Sequence, residues 1–204
     1  MIVVVEGPSG AGKTTWVDRH HAVHAVWEYQ ATGSEPSFSD DSEDAEEFWA
    51  EVNARRWQAA AELEARAGLA VCDTDPLKLH YVWTLWRIGE VSHARWNAEA
   101  HQARHRFETG RLGVADMFLV ELPDEAELRH RKEGDLNRRR RNFELHARLA
   151  DPLREWYSAV ATLDPDRVRW SFPRGPLRDD LLSPRQPRTG IEVFDTLVEA
   201  LPAR

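Results

Sequence analysis

The sequence predicts an α/β fold in which helices cover a parallel sheet of about five strands. Three short apolar runs, at residues 2–6, 69–72 and 117–120, are typical of strands buried on both faces. Each run stops at a glycine or a carboxylate, and stretches with helical periodicity lie between the runs. Strands that alternate with helices along a chain indicate a parallel sheet.

The remaining elements follow in chain order. Two further strands are predicted at residues 22–29 and 167–172, and helices at residues 43–67, 124–132, 142–161 and 191–201. Gly68 supplies the stop for the first of these helices. Residues 171–190 are rich in proline, glycine and arginine and are predicted to be a loop. Because no repeat or long linker interrupts the chain, we expect residues 1–204 to form a single domain.

Composition excludes several classes of protein. The chain has 204 residues and a net charge of -8, which counts against a general nucleic-acid surface. Its one cysteine, Cys72, cannot form an internal disulfide or a multi-cysteine zinc site. No apolar run approaches the roughly 20 residues that span a bilayer. We therefore expect a cytoplasmic protein with no membrane partner.

A phosphate-binding loop follows the first predicted strand. Residues 7–14 read Gly-Pro-Ser-Gly-Ala-Gly-Lys-Thr and fit the G-x-x-x-x-G-K-[ST] pattern completely. Glycines leave room for backbone N–H groups to surround a triphosphate, and the following helix points its positive end at the same phosphates. Lys13 is predicted to reach the β and γ oxygens as a catalytic residue, and Thr14 to ligate Mg²⁺. The candidate nucleotide-binding residues are Gly7, Ser9, Gly10, Ala11, Gly12, Lys13, Thr14 and Thr15. The expected cofactors are ATP and Mg²⁺, and the expected fold is a three-layer P-loop NTPase fold.

A basic segment separates the possible kinds of P-loop protein. After the turn at residues 121–124, the chain carries Arg131 and the run of arginines at 138–141. This resembles the lid of small-molecule kinases, whose arginines close over the phosphates. The resemblance implies a lid at about residues 129–143, with Arg131 and Arg138 catalytic and Arg141 binding the nucleotide. The alternative is an ordinary solvated basic face, balanced by nearby carboxylates.

A second resemblance covers the middle of the chain. The segments Trp27-Glu28-Tyr29, Arg55-Arg56-Trp57-Gln58 and the stretch Ala-Val-Cys-Asp-Thr-Asp-Pro-Leu-Lys at residues 70–78 are similar to the ribosylnicotinamide-kinase-type P-loop family. With the loop and the lid, the similarity spans roughly residues 1–160. It implies a compact kinase that phosphorylates a small molecule. By the same likeness to kinases of this class, Arg174 is expected where a loop packs against adenine.

Three carboxylates are candidates for the chemistry. Asp73 and Asp75 follow the third strand, at the edge where a parallel sheet meets its ligands. Asp73 is predicted to hold Mg²⁺ or to accept a proton as catalytic base, while Asp75 is equally suited to cap the next helix. Glu28 would end the second strand, and a glutamate in the comparable place acts as the base in deoxynucleoside kinases. Which carboxylate is base and which is metal ligand stays open.

Aromatic and imidazole side chains have two readings each. Trp83, Trp86 and Trp96 suit either an aromatic acceptor pocket or a packed core, because tryptophans at helical spacing are often core. Trp49 and Trp57 lie eight residues apart on one predicted helix and are expected to pack. Three histidines, His93, His101 and His105, lack the flanking ligands of a zinc site, so we expect an exposed helix face.

Together these patterns predict an ATP-dependent phosphotransferase. Its acceptor is expected to be a small hydroxylated or phosphorylated metabolite, with a nucleoside or nucleoside-like compound first. The alternatives are an ATP-binding regulatory switch, an antibiotic-modifying kinase and a polynucleotide 5′-hydroxyl kinase. The sequence fixes neither the acceptor nor the oligomeric state.

Overall fold

The fold is built on one sheet of five parallel strands. A computed structural model describes residues 1–37, 42–133, 145, 148–178 and 183–203. In chain order the strands are β1 (Ile2–Glu6), β2 (Ala25–Val26), β3 (Ala70–Asp73), β4 (Met117–Val120) and β5 (Val168–Arg169). Their order across the sheet is β2-β3-β1-β4-β5, and all four pairings are parallel. The predicted α/β class and strand number are therefore confirmed.

Helices cover both faces of this sheet. Their bounds in chain order are α1 (Lys13–His21), α2 (Glu43–Ala67), α3 (Leu79–Arg87), α4 (His93–Glu108), α5 (Glu125–Glu133), α6 (Ala150–Leu163) and α7 (Ile191–Glu199). Ile2 and Val4 of β1 point into the core formed with α2, α3, α4, α6 and α7. Val3 and Val5 point to the opposite face, where α1 packs. Because side chains alternate along a strand, β1 is buried on both faces and separates the two helical layers.

The two edge strands are shorter than predicted. Residues 22–24 form a 3₁₀ turn, so the strand predicted at 22–29 keeps only Ala25–Val26. The strand predicted at 167–172 keeps only Val168–Arg169. In the described part of the chain, β2 pairs with β3 and β5 pairs with β4, over two residues each.

The long helix α2 has the end signals that hold it in place. The hydroxyl of Ser42 accepts a hydrogen bond from the backbone N–H of Ala45, so Ser42 is the N-cap. Gly68 ends the helix in the left-handed conformation, with φ at 77°, as predicted from its position. The ring of Trp57 in α2 packs closely against the backbone at Gly113, since a Cβ at that position would lie 2.4 Å from the ring.

The three tryptophans at residues 83, 86 and 96 belong to the hydrophobic core. Trp83, Trp86 and Trp96 are buried and meet Trp156 of α6 in a cluster whose ring centroids lie 5.1 to 6.5 Å apart. Of the two readings drawn from the sequence, the packing one describes these residues. In the described part of the chain, no helix is both long and apolar enough to cross a membrane.

Candidate active site

The phosphate-binding loop connects β1 to α1 and has the backbone that an anion site requires. Gly7, Gly10 and Gly12 all have positive φ, at 151°, 97° and 97°. A Cβ on Gly7 would lie 2.2 Å from the carbonyl oxygen of Glu121, so only glycine fits there. The helix α1 begins at Lys13, and its N-terminal N–H groups and dipole favour negative charge in the loop.

Two side chains at the start of α1 face the ends of β1 and β3. Nζ of Lys13 donates hydrogen bonds to the carbonyl oxygens of Gly7 at 2.6 Å and Pro8 at 3.3 Å. The hydroxyl of Thr14 donates to Oδ2 of Asp73 at 2.8 Å, across 59 residues of sequence. The predicted pair of magnesium ligands therefore lies together in space.

The oxygen atoms of Thr14 and Asp73 fit a magnesium ion. Mg²⁺ prefers hard oxygen ligands and commonly takes one carboxylate and one hydroxyl beside phosphate oxygens. Oδ1 of Asp73 is buried and has no hydrogen-bond partner among the described residues. Burial raises the pKa of Asp73, against the lowering effects of the Thr14 hydrogen bond and of Lys13. A cation bound here would offset that cost by stabilising the charged carboxylate.

Glu28 lies directly after the short β2, paired with a lysine that the sequence did not single out. Oε1 of Glu28 is 2.5 Å from Nζ of Lys78, which lies just before α3. Burial alone would raise the pKa of Glu28, but Lys78, with a smaller effect of Lys13, lowers it. Lys78 has a φ of 54° and Thr74 a φ of 70°, so the segment between β3 and α3 contains two residues in the left-handed region. Such conformations cluster at binding sites.

A cavity of about 330 Å³ opens beside Glu28 and Lys78. Its volume lies within the range of small-molecule sites. Most of its surface is apolar and aromatic, from α2, α3, α4 and the segments after β2 and β3. It is lined by Glu28, Tyr29, Ala31, Trp49, Ala50, Val52, Asn53, Arg56, Leu77, Lys78, Leu79, Tyr81, Val82, Glu99, Ala103 and Leu112.

One face of α2 brings hydrogen-bonding groups to this cavity. Trp49, Asn53 and Arg56 are spaced four and three residues apart, which places them on the same side of the helix. Nε of Arg56 donates to the carbonyl of Trp27, and Nη2 donates to the carbonyls of Asp73 and Thr74. Arg56 therefore ties the cavity to the end of β3, where Thr14 also contacts Asp73.

Two donors on this face have no partner within the described chain. Nη1 of Arg56 and Nε1 of Trp49 are both buried and without a hydrogen bond. A buried donor left unsatisfied costs about 1 to 3 kcal/mol. Their missing partners make them candidates for a hydrogen bond to a bound molecule. Trp49, which the sequence predicted to pack, also lines the cavity.

Asp75 has a structural contact of its own. Its Oδ1 accepts the backbone N–H of Leu77, which shapes the turn ahead of α3. Burial raises the pKa of Asp75 to about 7. The prediction that Asp75 caps the next helix is wrong, because the N-cap of α3 is Lys78 and the carboxylate of Asp75 binds the N–H of Leu77 instead.

The other predicted residues lie around the loop or outside the described part. Ser9 and Ala11 belong to the loop, and Thr15 lies on the exposed side of the first turn of α1. Arg131 falls within α5, the helix that follows β4. Arg138 and Arg141, with most of the predicted lid, lie outside the described residues. Arg174 is exposed, and its neighbour Pro173 accepts a hydrogen bond from the indole N–H of Trp16 in α1 at 2.7 Å.

Sequence reasoning missed Lys78 and Arg56 as candidate site residues. Lys78 meets Glu28 across 50 residues, so no local pattern indicates the pair. Arg56 had a signal, because helical spacing from Trp49 and Asn53 puts it on one face with polar and aromatic groups. An arginine that shares a helix face with a tryptophan and an asparagine indicates a binding site more strongly than any of the three residues alone.

Comparisons with solved structures identify the fold. The structure of deoxyadenosine kinase from M. mycoides with bound dCTP has a TM-score of 0.53 and 14% identity, over 98% of this chain and all of that one. The same kinase with the products dCMP and dCDP has a TM-score of 0.52 and 13% identity, over 98% and 97%. No protein-family model and no curated protein matches the sequence.

These similarities, with the parallel sheet and the glycine loop, show an α/β P-loop kinase fold. The identity is too low to carry over an activity. The finer resemblance to the ribosylnicotinamide-kinase-type family stays a prediction, because both structures are of a deoxyadenosine kinase.

Proposed function

We propose that this chain is an ATP·Mg²⁺-dependent kinase that phosphorylates a hydroxyl group of a small, uncharged acceptor, most simply a nucleoside. The observation that carries the proposal is the cavity on α2 and α3, which Glu28 lines and which Arg56 ties to the end of β3 through the carbonyl of Asp73. In this proposal the cavity binds the acceptor and the phosphate-binding loop binds the triphosphate. The likeness in fold to deoxyadenosine kinase favours a nucleoside among the possible acceptors.

The donor half of the site would bind ATP through the loop. Backbone N–H groups of the loop after Gly7 and of the start of α1 would surround the phosphates, and Lys13 would supply a positive charge to them. Thr14 and Asp73 would hold Mg²⁺, which when bound neutralises charge on the β and γ oxygens. Arg131, Arg138 and Arg141 of the predicted lid, and Arg174 beside α1, stay candidates for further contacts to the nucleotide.

The acceptor half supplies the base. Glu28, which is ionised at neutral pH, would accept the proton of the attacking hydroxyl. The hydroxyl oxygen forms the new bond to the γ-phosphorus while the bond from that phosphorus to the ADP oxygen breaks. Lys78 would hold the carboxylate in orientation from the other side. A positioned base contributes roughly 10²- to 10⁴-fold to such a rate.

The charges in the cavity favour an uncharged acceptor over a phosphorylated one. Among its described lining residues, the cations are Arg56 and Lys78. Arg56 already donates to three backbone carbonyls, and Lys78 is paired with Glu28. The lining carboxylates, Glu28 and Glu99, are likewise paired, with Lys78 and Arg95, so the described lining has no excess positive charge for a phosphate group. A nucleoside needs no such excess and offers acceptor atoms to the polar side chains of the cavity.

The test is ADP release from ATP·Mg²⁺ with a panel of acceptors: nucleosides, nucleoside monophosphates, nicotinamide riboside and hydroxylated antibiotics. We expect one uncharged alcohol to stimulate release and the monophosphates not to do so. Lys13→Ala should abolish the stimulation, while Arg66→Met, on an exposed part of α2, should retain it. Stimulation by monophosphates alone would contradict the choice of acceptor. ATP binding with no stimulation by any compound would contradict the kinase.

A further inference from the structure

A buried carboxylate at the end of β1 contacts both halves of the candidate active site. Glu6 is 3% exposed. Its Oε1 accepts the backbone N–H of Gly7 at 2.8 Å and lies 3.9 Å from Nζ of Lys13. Its Oε2 accepts the backbone N–H of Asp75 at 3.0 Å and lies 3.3 Å from Nε2 of His80. One side chain thus joins the phosphate loop to the segment that leads into α3.

The two segments that Glu6 joins carry different functions. The phosphate loop and Lys13 belong to the ATP side. The segment from Asp75 to His80 includes Lys78, which pairs with Glu28, and Leu77 and Leu79, which line the cavity. A shift of this segment relative to the loop would move the acceptor relative to the γ-phosphate. Reactions that depend on alignment lose about 10²-fold in rate for a misplacement of 1 Å.

At neutral pH Glu6 is ionised and His80 is neutral, so an N–H of the ring can donate to the carboxylate. Burial alone would raise the pKa of Glu6, but the charges of Lys13 and Lys78 and the hydrogen bond from the N–H of Asp75 lower it, so the carboxylate is ionised at neutral pH. Burial lowers the pKa of His80 to about 4, so the ring is neutral at neutral pH. A neutral ring has one N–H, and the carboxylate at 3.3 Å from Nε2 favours placing it there.

The other ring nitrogen of His80 also faces a carboxyl group, but at a longer distance. Nδ1 of His80 lies 3.9 Å from Oδ2 of Asp75, and neither atom has a hydrogen-bond partner in the described chain. Tyr157 of α6 faces the same group, since Glu6 and Asp75 both raise the pKa of its hydroxyl, after the effect of burial. Its ring lies 6.0 Å from that of His80. The contact to Glu6 is therefore the shortest polar contact of the imidazole among those described.

We propose that Glu6 is a positioning residue for phosphoryl transfer, and that His80 fixes its carboxylate by donating a hydrogen bond from Nε2. The inference rests on the proposed kinase function and deepens it. The carboxylate holds the acceptor side of the site in register with the phosphate loop. Because the loop itself supplies most of the ATP affinity, replacing Glu6 should lower kcat and leave ATP binding nearly unchanged.

The experiment compares turnover with ATP affinity in matched variants. Glu6→Gln keeps the shape but offers one acceptor oxygen where two N–H groups need one each. We expect kcat to fall by about 10²-fold, while the dissociation constant of ATP, measured by fluorescence titration, changes by less than ~3-fold because the loop amides are retained. His80→Phe should lower kcat in the same direction, and His80→Gln, which retains a donor, should restore much of it. Glu64→Gln, which removes an ion pair to Arg188 on the opposite edge, should leave kcat unchanged.

Equal losses of ATP affinity and kcat in Glu6→Gln would overturn the proposal and assign Glu6 to the folding of the loop. Unchanged kcat would also overturn it. If the wild type phosphorylates no acceptor, the kinase proposal fails, and ¹⁵N NMR of His80 still tests the contact. The inference requires the Nε2–H tautomer in the wild type and a change of tautomer population in Glu6→Gln. An Nδ1–H ring in the wild type would contradict it.

Discussion

At the scale of single residues, Glu28 and Lys78 form an ion pair in the lining of the cavity. Nζ of Lys78 lies 2.5 Å from the carboxylate and is a main reason that the pKa of Glu28 is below its ordinary value of 4.5. A lowered pKa keeps a carboxylate ionised down to lower pH. If Glu28 is the base, as proposed, the activity is therefore retained at neutral pH and lost as the pH falls through that lowered pKa.

Removing the lysine should move the acid limb of the rate profile. In Lys78→Met, the carboxylate keeps its burial but loses its partner, so the pKa of Glu28 rises. We expect the acid limb of kcat to shift to higher pH, measured between pH 4 and 8 with the fold checked by circular dichroism. Glu28→Gln should lower kcat by roughly 10²- to 10⁴-fold with ATP binding retained. An acid limb that stays in place in Lys78→Met would contradict the role of Glu28 as base.

At the scale of elements, one face of α2 lines the cavity with Trp49, Asn53 and Arg56. Trp49 is the sharpest probe of that face, because its indole N–H is buried without a partner in the described chain. Trp49→Phe keeps an aromatic wall and removes this donor. We expect KM for the acceptor to rise by about 5-fold, the equivalent of about 1 kcal/mol for one hydrogen bond. KM for ATP should stay constant, and Trp170→Phe, at an exposed tryptophan elsewhere, should change neither. A change confined to the KM for ATP would contradict the assignment of the cavity.

Ion pairs hold the segment after β5 beside the amino ends of the strands, whereas the phosphate-binding loop lies at their carboxyl ends. Arg188 donates to both carboxylate oxygens of Asp116 and to both of Glu64. Asp116 is fully buried at the start of β4, and its Oδ2 also accepts the N–H of Ile2. These contacts hold residues after β5 against the start of the sheet, away from the loop.

Removing this arginine should cost stability without changing the chemistry. Arg188→Met leaves Asp116 as a buried charge that has lost its cation, and breaking a buried pair costs about 3 to 5 kcal/mol. Thermal and urea unfolding should show that loss, with ATP affinity unchanged below the unfolding temperature. The matched variant Arg66→Met breaks an exposed pair with Glu62 and should cost no more than about 1 kcal/mol. Equal effects of the two variants would refute the distinction.

At the scale of the whole molecule, the sequence predicted the sheet and the phosphate loop because their signals are local. Buried parallel strands leave apolar runs, and the loop needs glycines at fixed spacing. The contact of Thr14 with Asp73 was also accessible, since the carboxyl ends of parallel strands share one edge. Periodicity did not separate the buried cluster of Trp83 from the cavity wall at Trp49, because both follow helical spacing.

The proposed acceptor side of the site could not be predicted from local sequence signals. It is assembled from α2, α3, α4 and the turns between them, and its contacts join residues tens of positions apart. Burial and missing partners, which mark Arg56 and Trp49, exist only after folding. The lid arginines remain a prediction from the sequence.

The most direct measurement follows the γ-phosphoryl group itself in a single turnover. ATP labelled in its γ-phosphate is mixed with excess enzyme, Mg²⁺ and a nucleoside, and the label is separated into organic phosphate and inorganic phosphate. The proposed function predicts label on the nucleoside, with inorganic phosphate forming far more slowly, and loss of both products in Lys13→Ala. Label found only in inorganic phosphate with every acceptor would contradict it and point to an ATPase or a nucleotide switch.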